Sequence, residues 1–245
     1  MKFRYVFVIV SLILALIGDG HAVEIQSPNG QVRANVLVDD SGRLVYSLTR
    51  GDSTILQPSP MGITIDNVDL GQGVELGETQ SSTINEKYPW RGLKSEAVDH
   101  CNVMQIAVKH GETGKTWTLE TRAYDDGFAY RYIIPGTGER TVSSEATAWV
   151  LPDNSEVWYQ TNIGNYEPPA HQKKTVAEVN EEAMALPVAV ELADGTYAAI
   201  TEGYLLGYSG MTLRCRGDQR LLGVFADDGW GGRWTARSVR PGGSP

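Results

Sequence analysis

Strict alternation of apolar and polar residues, broken at short intervals by Gly and Asp, restricts this chain more than any other feature. In residues 31–38, Val32, Ala34, Val36 and Val38 fall on one face, and in 43–50 Leu44, Tyr46 and Leu48 repeat the pattern. Asp39-Asp40-Ser41-Gly42 and Gly51-Asp52 supply turn chemistry between and after them. A period of two places alternate side chains on opposite faces, so this is the signature of a β-meander. Further strands are predicted over 103–108, 116–124, 128–134, 147–150, 157–160, 186–191, 197–202 and 211–214. Asp125-Asp126-Gly127 reads as an Asp-Gly hairpin turn in which Gly127 takes a positive φ. Only 175–184 has a helical composition, and 70–94 and 161–175 read as long loops. Many short strands with almost no helix predict an all-β sandwich or barrel, and loops of that length favour the sandwich.

The N-terminus stands apart from this pattern. Lys2 and Arg4 precede an apolar run from Val6 to Ile17, and Gly18 to Ala22 closes with small residues. The run is short for a bilayer span, which predicts a cleaved secretory signal over 1–22 rather than a retained anchor. Residues 23–238 then form one β domain, and 239–245, rich in Pro and Gly, read as a linker-like or truncated end. The chain is expected to be secreted or periplasmic and off the membrane after cleavage. Losing Lys2, Arg4 and Asp19 moves the net charge from −9 to −10. Nucleic acid is bound by Lys and Arg that displace counterions, so an acidic chain of this kind is expected to bind none. With only two cysteines, Cys101 and Cys215, there is no disulfide framework. A single bridge and two separately buried thiols are the alternatives.

No complete catalytic motif is present, and no catalytic residue is assigned. His100, His110 and His171 show no metal-ligand spacing. Cys101 follows His100 directly, but neighbours in a strand point to opposite faces, which argues against a Cys-His nucleophile. Asp125-Asp126 and Asp227-Asp228 each precede Gly and read as turns rather than as glycosidase carboxylates. Tyr88, Trp90, Trp158, Tyr159 and Tyr166 fall in or beside the predicted long loops. They suit stacking on sugar rings, or else plugging the sandwich edges. Glu202 lies between Ala198-Ala199-Ile200-Thr201 and Gly203-Tyr204-Leu205-Leu206. A carboxylate in an apolar run needs a partner, and Ca²⁺ favours carboxylate oxygens. Taken on these residues alone, a cation ligand and a strand-end Glu facing water both remain open.

Several segments in order resemble the N-terminal domain of glycoside hydrolase family 97, bacterial exo-acting α-glucosidases and α-galactosidases. They are Ser27-Pro28-Asn29-Gly30, Leu44-Val45-Tyr46-Ser47, Pro58-Ser59-Pro60-Met61-Gly62 and Tyr88-Pro89-Trp90-Arg91-Gly92, followed by Asp99-His100-Cys101-Asn102. The most specific run is Arg122-Ala123-Tyr124-Asp125-Asp126-Gly127-Phe128-Ala129-Tyr130-Arg131-Tyr132. Asn165-Tyr166-Glu167, Ile200-Thr201-Glu202 and Tyr208-Ser209-Gly210-Met211-Thr212-Leu213 complete the set.

The resemblance implies a β-supersandwich of the galactose-mutarotase type, followed in the family by a catalytic (β/α)₈ barrel. It implies that Glu202 is a Ca²⁺ ligand donated to an active site on that barrel, whose own residues supply the other ligands and both catalytic carboxylates. It makes Trp90, Tyr166 and Glu167 the candidate contacts to an oligosaccharide or α-glycoside substrate. The pattern loosens after Leu213, and no barrel sequence follows. The chain is therefore expected to be inactive alone and to need Ca²⁺ only within the complete enzyme. Two other readings are a free-standing carbohydrate-binding module, and a mutarotase-like protein pairing His100 or His171 with Glu167 or Glu202.

Overall fold

A computed structural model of the protein describes residues 22–161, 170–203, 208–225 and 234–237. Along the chain these residues form β1 (Val23–Gln26), β2 (Val32–Val38), β3 (Leu44–Arg50), β4 (Ser53–Pro60), β5 (Ile63–Ile65), β6 (Val68–Asp69), β7 (Val74–Pro89) and β8 (Glu96–His110). There follow β9 (Thr116–Tyr124), β10 (Gly127–Ile133), β11 (Glu139–Glu145), β12 (Ala148–Val150), β13 (Glu156–Tyr159) and β14 (Gln172–Thr175). After a 3₁₀ turn at Val176–Glu178 come β15 (Asn180–Met184), β16 (Val188–Glu191), β17 (Tyr197–Ile200), β18 (Met211–Arg216), β19 (Arg220–Phe225) and β20 (Trp234–Arg237). The protein is an all-β sandwich, as its alternation predicts. No helix among the described residues is long and apolar enough to cross a membrane.

The strands make one eight-stranded sheet, β1-β2-β3-β4-β12-β19-β18-β15, and three four-stranded sheets, β10-β9-β8-β7, β20-β11-β5-β6 and β14-β13-β16-β17. Every pairing among them is antiparallel, as short turns allow. The inward face of β2 is Val32, Ala34 and Val36, all buried as their alternation requires. Opposite lies β10, where Phe128, Tyr130 and Tyr132 recur every second residue. Tyr46 stacks on Phe128 and meets Tyr130 edge-on, with ring centroids 5.9 and 5.3 Å apart. Trp117 fills the next position, with its indole N–H bonded to Leu70 O at 3.1 Å. Each aliphatic side chain withdrawn from water into this core contributes about 1.5–3 kcal/mol.

Four expectations are corrected. The predicted loop 70–94 contains β7, a sixteen-residue strand paired with β8 from Val74↔His110 to Pro89↔Glu96. The predicted helix 175–184 is a 3₁₀ turn followed by β15, which pairs with β18. Pairing with a central neighbour satisfies its backbone and overrides a Glu/Ala-rich composition. The 161–175 loop yields its last residues to β14, paired with β13. The β9–β10 hairpin is present with Tyr124 opposite Gly127, but Gly127 does not take a positive φ. Asp125 instead caps the turn side of Asn29, accepting its N–H at 2.9 Å.

Of the two cysteine alternatives, the separate thiols hold. Cys101 is buried on β8, and the buried Cys215 thiol on β18 donates to Val176 O at 3.3 Å.

Candidate functional site

The chemistry gathers where β11 hands the chain to β12. In β11, Val142 faces Ile65 of β5, and the register then slips so that Ser144 faces Thr64 and Glu145 faces Ile63. That slip is a β-bulge at Ser143. A bulge adds one residue and reverses which later side chains point inward. Val142, Ile63 and Ile65 are buried, so the bulge turns Glu145 toward the core instead of toward solvent.

The carboxylate is met there by hydroxyls. Thr147 Oγ1 donates to Glu145 Oε2 at 2.5 Å, and Tyr208 Oη donates to Glu145 Oε1. Tyr132 Oη lies 3.2 Å from Thr147 Oγ1 and accepts Gly62 N–H at 2.9 Å. The donors therefore run one way, from Gly62 through Tyr132 and Thr147 to the carboxylate. Gly62 reaches this position because its φ is 142° and its backbone packs on Gly71, where a Cβ would approach Gly71 Cα to 2.7 Å. The Tyr130 hydroxyl is buried beside Tyr46, Tyr132 and Thr147 without making a bond of full hydrogen-bond geometry. Burial pushes the Glu145 carboxyl above its usual range, opposed by the bonds from Thr147 and Tyr208 and reinforced by the charge of Glu202. Burial and the neighbouring Glu145 likewise push the Tyr208 hydroxyl well up, so it stays a donor.

Glu202 lies just past the end of β17, two residues beyond Ile200, and is half-buried. The predicted strand 197–202 thus stops short of it. Its Oε2 accepts Met211 N–H, at the start of β18, at 3.0 Å. Among the described residues its Oε1 takes no hydrogen bond, and no cluster of three or more His, Cys, Asp or Glu stands ready for a metal. A half-buried carboxylate with one oxygen held and one available fits a contributor to a Ca²⁺ site. It falls far short of the six to eight oxygens such a site needs.

Of the predicted sugar contacts, Trp90 lies among the described residues. Trp90 sits at the tip of the β7–β8 arm, 58% exposed, its backbone N–H bonded to Ser95 O at 2.9 Å and its ring edge-on to Tyr88 at 6.3 Å. Leu93 and Val98 are exposed on the same arm. Tyr166 and Glu167 lie outside the described residues. Of the other aromatics assigned to loops, Tyr159 is wholly buried in β13. Trp158 lies on the outer face of the sheet β14-β13-β16-β17, beside Ala189, with Lys173 Nζ 5.1 Å from its ring. Glu156, Glu191 and Tyr197 share that face by register, and Lys173 bridges the two carboxylates at 2.7 and 2.8 Å.

No histidine is brought to Glu202 by these contacts. His100 faces Asn85 on the arm, His110 Nδ1 is 2.8 Å from Thr113 Oγ1, and His171 meets Gln160. The Cys101 thiol, raised by burial and pointed at Asp99, is not an activated nucleophile.

The family profile described as Glycosyl-hydrolase 97 N-terminal matches residues 25–236. This chain belongs to that family. A retaining α-galactosidase of Bacteroides thetaiotaomicron is 28% identical to the family 97 domain over 215 residues, which is 82% of this chain and 31% of the relative. A probable retaining α-galactosidase of Streptomyces bingchenggensis is 32% identical over 175 residues, 71% of this chain and 27% of the relative. The fold is shared with a family 97 enzyme of Pseudoalteromonas sp. strain K8 solved with acarbose. The TM-score is 0.77 at 18% identity, covering 88% of this chain and 34% of that one. A β-arabinopyranosidase structure gives a TM-score of 0.78 at 18% identity, covering 88% and 38%. The family 97 domain thus spans about a third of the length of these relatives.

The sequence singled out Glu202 but missed Glu145, Thr147 and Tyr208. Ser143-Ser144-Glu145-Ala146-Thr147 reads as polar strand-edge sequence. Only the pairing with β5 reveals the bulge that turns Glu145 inward.

Proposed function

We propose that this domain serves an exo-acting α-glycosidase by donating Glu202, as a Ca²⁺ ligand, to an active site on a (β/α)₈ barrel. The family match over residues 25–236 carries this reading. Glu202 supports it locally, placed at a strand end with one oxygen anchored by Met211 N–H and the other available. The barrel would supply the remaining ligands and two carboxyl groups, one to protonate the leaving oxygen and one to attack the anomeric carbon or to activate water. When bound, Ca²⁺ orients the sugar and tunes those acids. The names of the two galactosidases favour a terminal α-galactoside and a retaining outcome, with an α-glucoside as the neighbouring choice. Trp90, with Tyr166 and Glu167, would meet the sugar or the approach to it. The protein acts outside the cytoplasm, on neutral glycans rather than on polyanions.

The test compares residues 23–245 with the same domain joined to the reading frame that follows it in the source DNA. The domain alone should leave aryl α-galactosides and α-glucosides intact. The longer protein should cleave one of them, lose activity in chelator and regain it with Ca²⁺. A downstream frame that encodes no barrel overturns the reading. In that case the exposed Trp90 tip and the Trp158–Tyr197 face favour a free-standing carbohydrate-binding module.

A further inference from the structure

We propose that Glu145 is a positioning residue for Glu202, which it holds in place through Tyr208. The inference rests on the proposed role of Glu202. Its geometry is independent of that role. Tyr208 Oη donates to Glu145 Oε1, so the residue three places before Met211 is tied to the inner face of β11. The Tyr208 ring also packs edge-on against Phe225, with centroids 5.7 Å apart, and Phe225 faces Met211 across β18–β19. Met211 N–H in turn holds Glu202 Oε2 at 3.0 Å. The path from Glu145 to Glu202 is therefore a continuous run of contacts: carboxylate to Tyr208, Tyr208 to the start of β18, and that start to the Glu202 carboxylate.

Folding alone does not call for a carboxylate at this position. Glu145 lies opposite Ile63 on a face whose other members are Val142 and Ile65. An apolar side chain there would pack without the cost of burying a charge beside Glu202. The chain instead spends a β-bulge to turn this carboxylate inward and surrounds it with two hydroxyl donors, the first of them aligned by Tyr132 and Gly62. Departures from the local rules that are this fully compensated collect at functional positions. What the arrangement delivers is a fixed direction for Tyr208, hence for Met211 N–H, hence for Glu202.

The test measures amide exchange at Met211 by NMR in this chain, for the wild type and for Tyr208→Phe, Glu145→Gln and Glu145→Ala. Losing the Tyr208 hydroxyl should speed Met211 exchange about tenfold, the effect of one hydrogen bond to a charged group. Glu145→Gln keeps an acceptor for Tyr208 and should stay within about twofold of wild type, a rescue that filling space alone would not give. Leu213 and Leu221, inside β18 and β19, should be unchanged in both variants. Glu145→Ala should match Tyr208→Phe where it folds, and the other two variants decide the matter where it does not. Unchanged Met211 exchange in Tyr208→Phe overturns the proposal, as does an equal rise at Leu213 and Leu221. Exchange is read without Ca²⁺ and without a barrel. Failure here leaves the calcium test of Glu202 standing, and failure of that test leaves this result standing.

Discussion

Two inward-facing glutamates of this domain, Glu120 buried and Glu145 half-buried, meet opposite surroundings, and the contrast shows how a single position sets its chemistry. Glu120 is 4% exposed on β9 and receives Gln105 Nε2 at 3.1 Å, Arg122 Nε at 3.2 Å and Arg131 Nη2 at 3.0 Å. Burial opposes its ionisation, but the bonds from Arg131 and Gln105 and the charges of Arg131 and Arg122 outweigh it, and its pKa is lowered. A lowered carboxyl pKa adds stability that is present above the unfolded value near 4.5 and is lost as pH falls through the folded one. Glu120→Gln should therefore cost about 1.5–3 kcal/mol at pH 7. In urea titrations that gap should shrink as the solution is acidified below about pH 4.5. A gap independent of pH would mean that the two arginines do not hold Glu120 ionised. At Glu145, burial and the nearby charge of Glu202 outweigh the bonds from the Thr147 and Tyr208 hydroxyls, so its shift runs upward. Neither surrounding is visible in the sequence, since both depend on which strands lie alongside.

Among the elements, legibility follows sidedness. Strands with one face in the core announce themselves by alternation, and β2, β3, β9 and β10 are found where the pattern puts them. β7 is exposed on both faces over nearly its whole length after Val74, so it has no hydrophobic period to read. It is a strand because β8 lies opposite each residue from Ser81 to Pro89 and bonds the backbone groups that face it. β8 itself pairs with β9 only from Cys101 to Lys109, which leaves the outer parts of β7 and β8 as a two-stranded arm. This arm lies outside the core, its side chains exposed on both faces. Glu86 faces Asp99 across the arm, and deleting residues 87–98 with an Asn-Gly turn between that pair should shift stability by no more than about 0.5 kcal/mol. Thermal unfolding checks this. A loss of several kcal/mol would mean that the aromatic tip is structural. β15 is the opposite error, a helix-forming composition drawn into a sheet by β18.

At the scale of the whole molecule, the site residues come from distant parts of the chain. Gly62, Tyr132, Glu145, Thr147 and Tyr208 meet only because β5, β10 and β11 converge on the junction with β12 and β18. The family likeness is legible in short ordered segments, and it favours the cation-ligand reading of Glu202, a residue already conspicuous in its apolar run. The hydroxyl and carboxylate cluster behind Glu202 was not legible, because each member looks ordinary in its own strand. The function proposed for this domain turns on the Ca²⁺ role of Glu202. Its most direct test is a calcium titration of the chelator-stripped complete enzyme, wild type against Glu202→Gln, following both bound Ca²⁺ and glycoside cleavage. Loss of one charged ligand should raise the half-saturating Ca²⁺ concentration about tenfold or more while the thermal midpoint of the β domain holds. Identical titrations for the two proteins would mean that Glu202 is not a Ca²⁺ ligand.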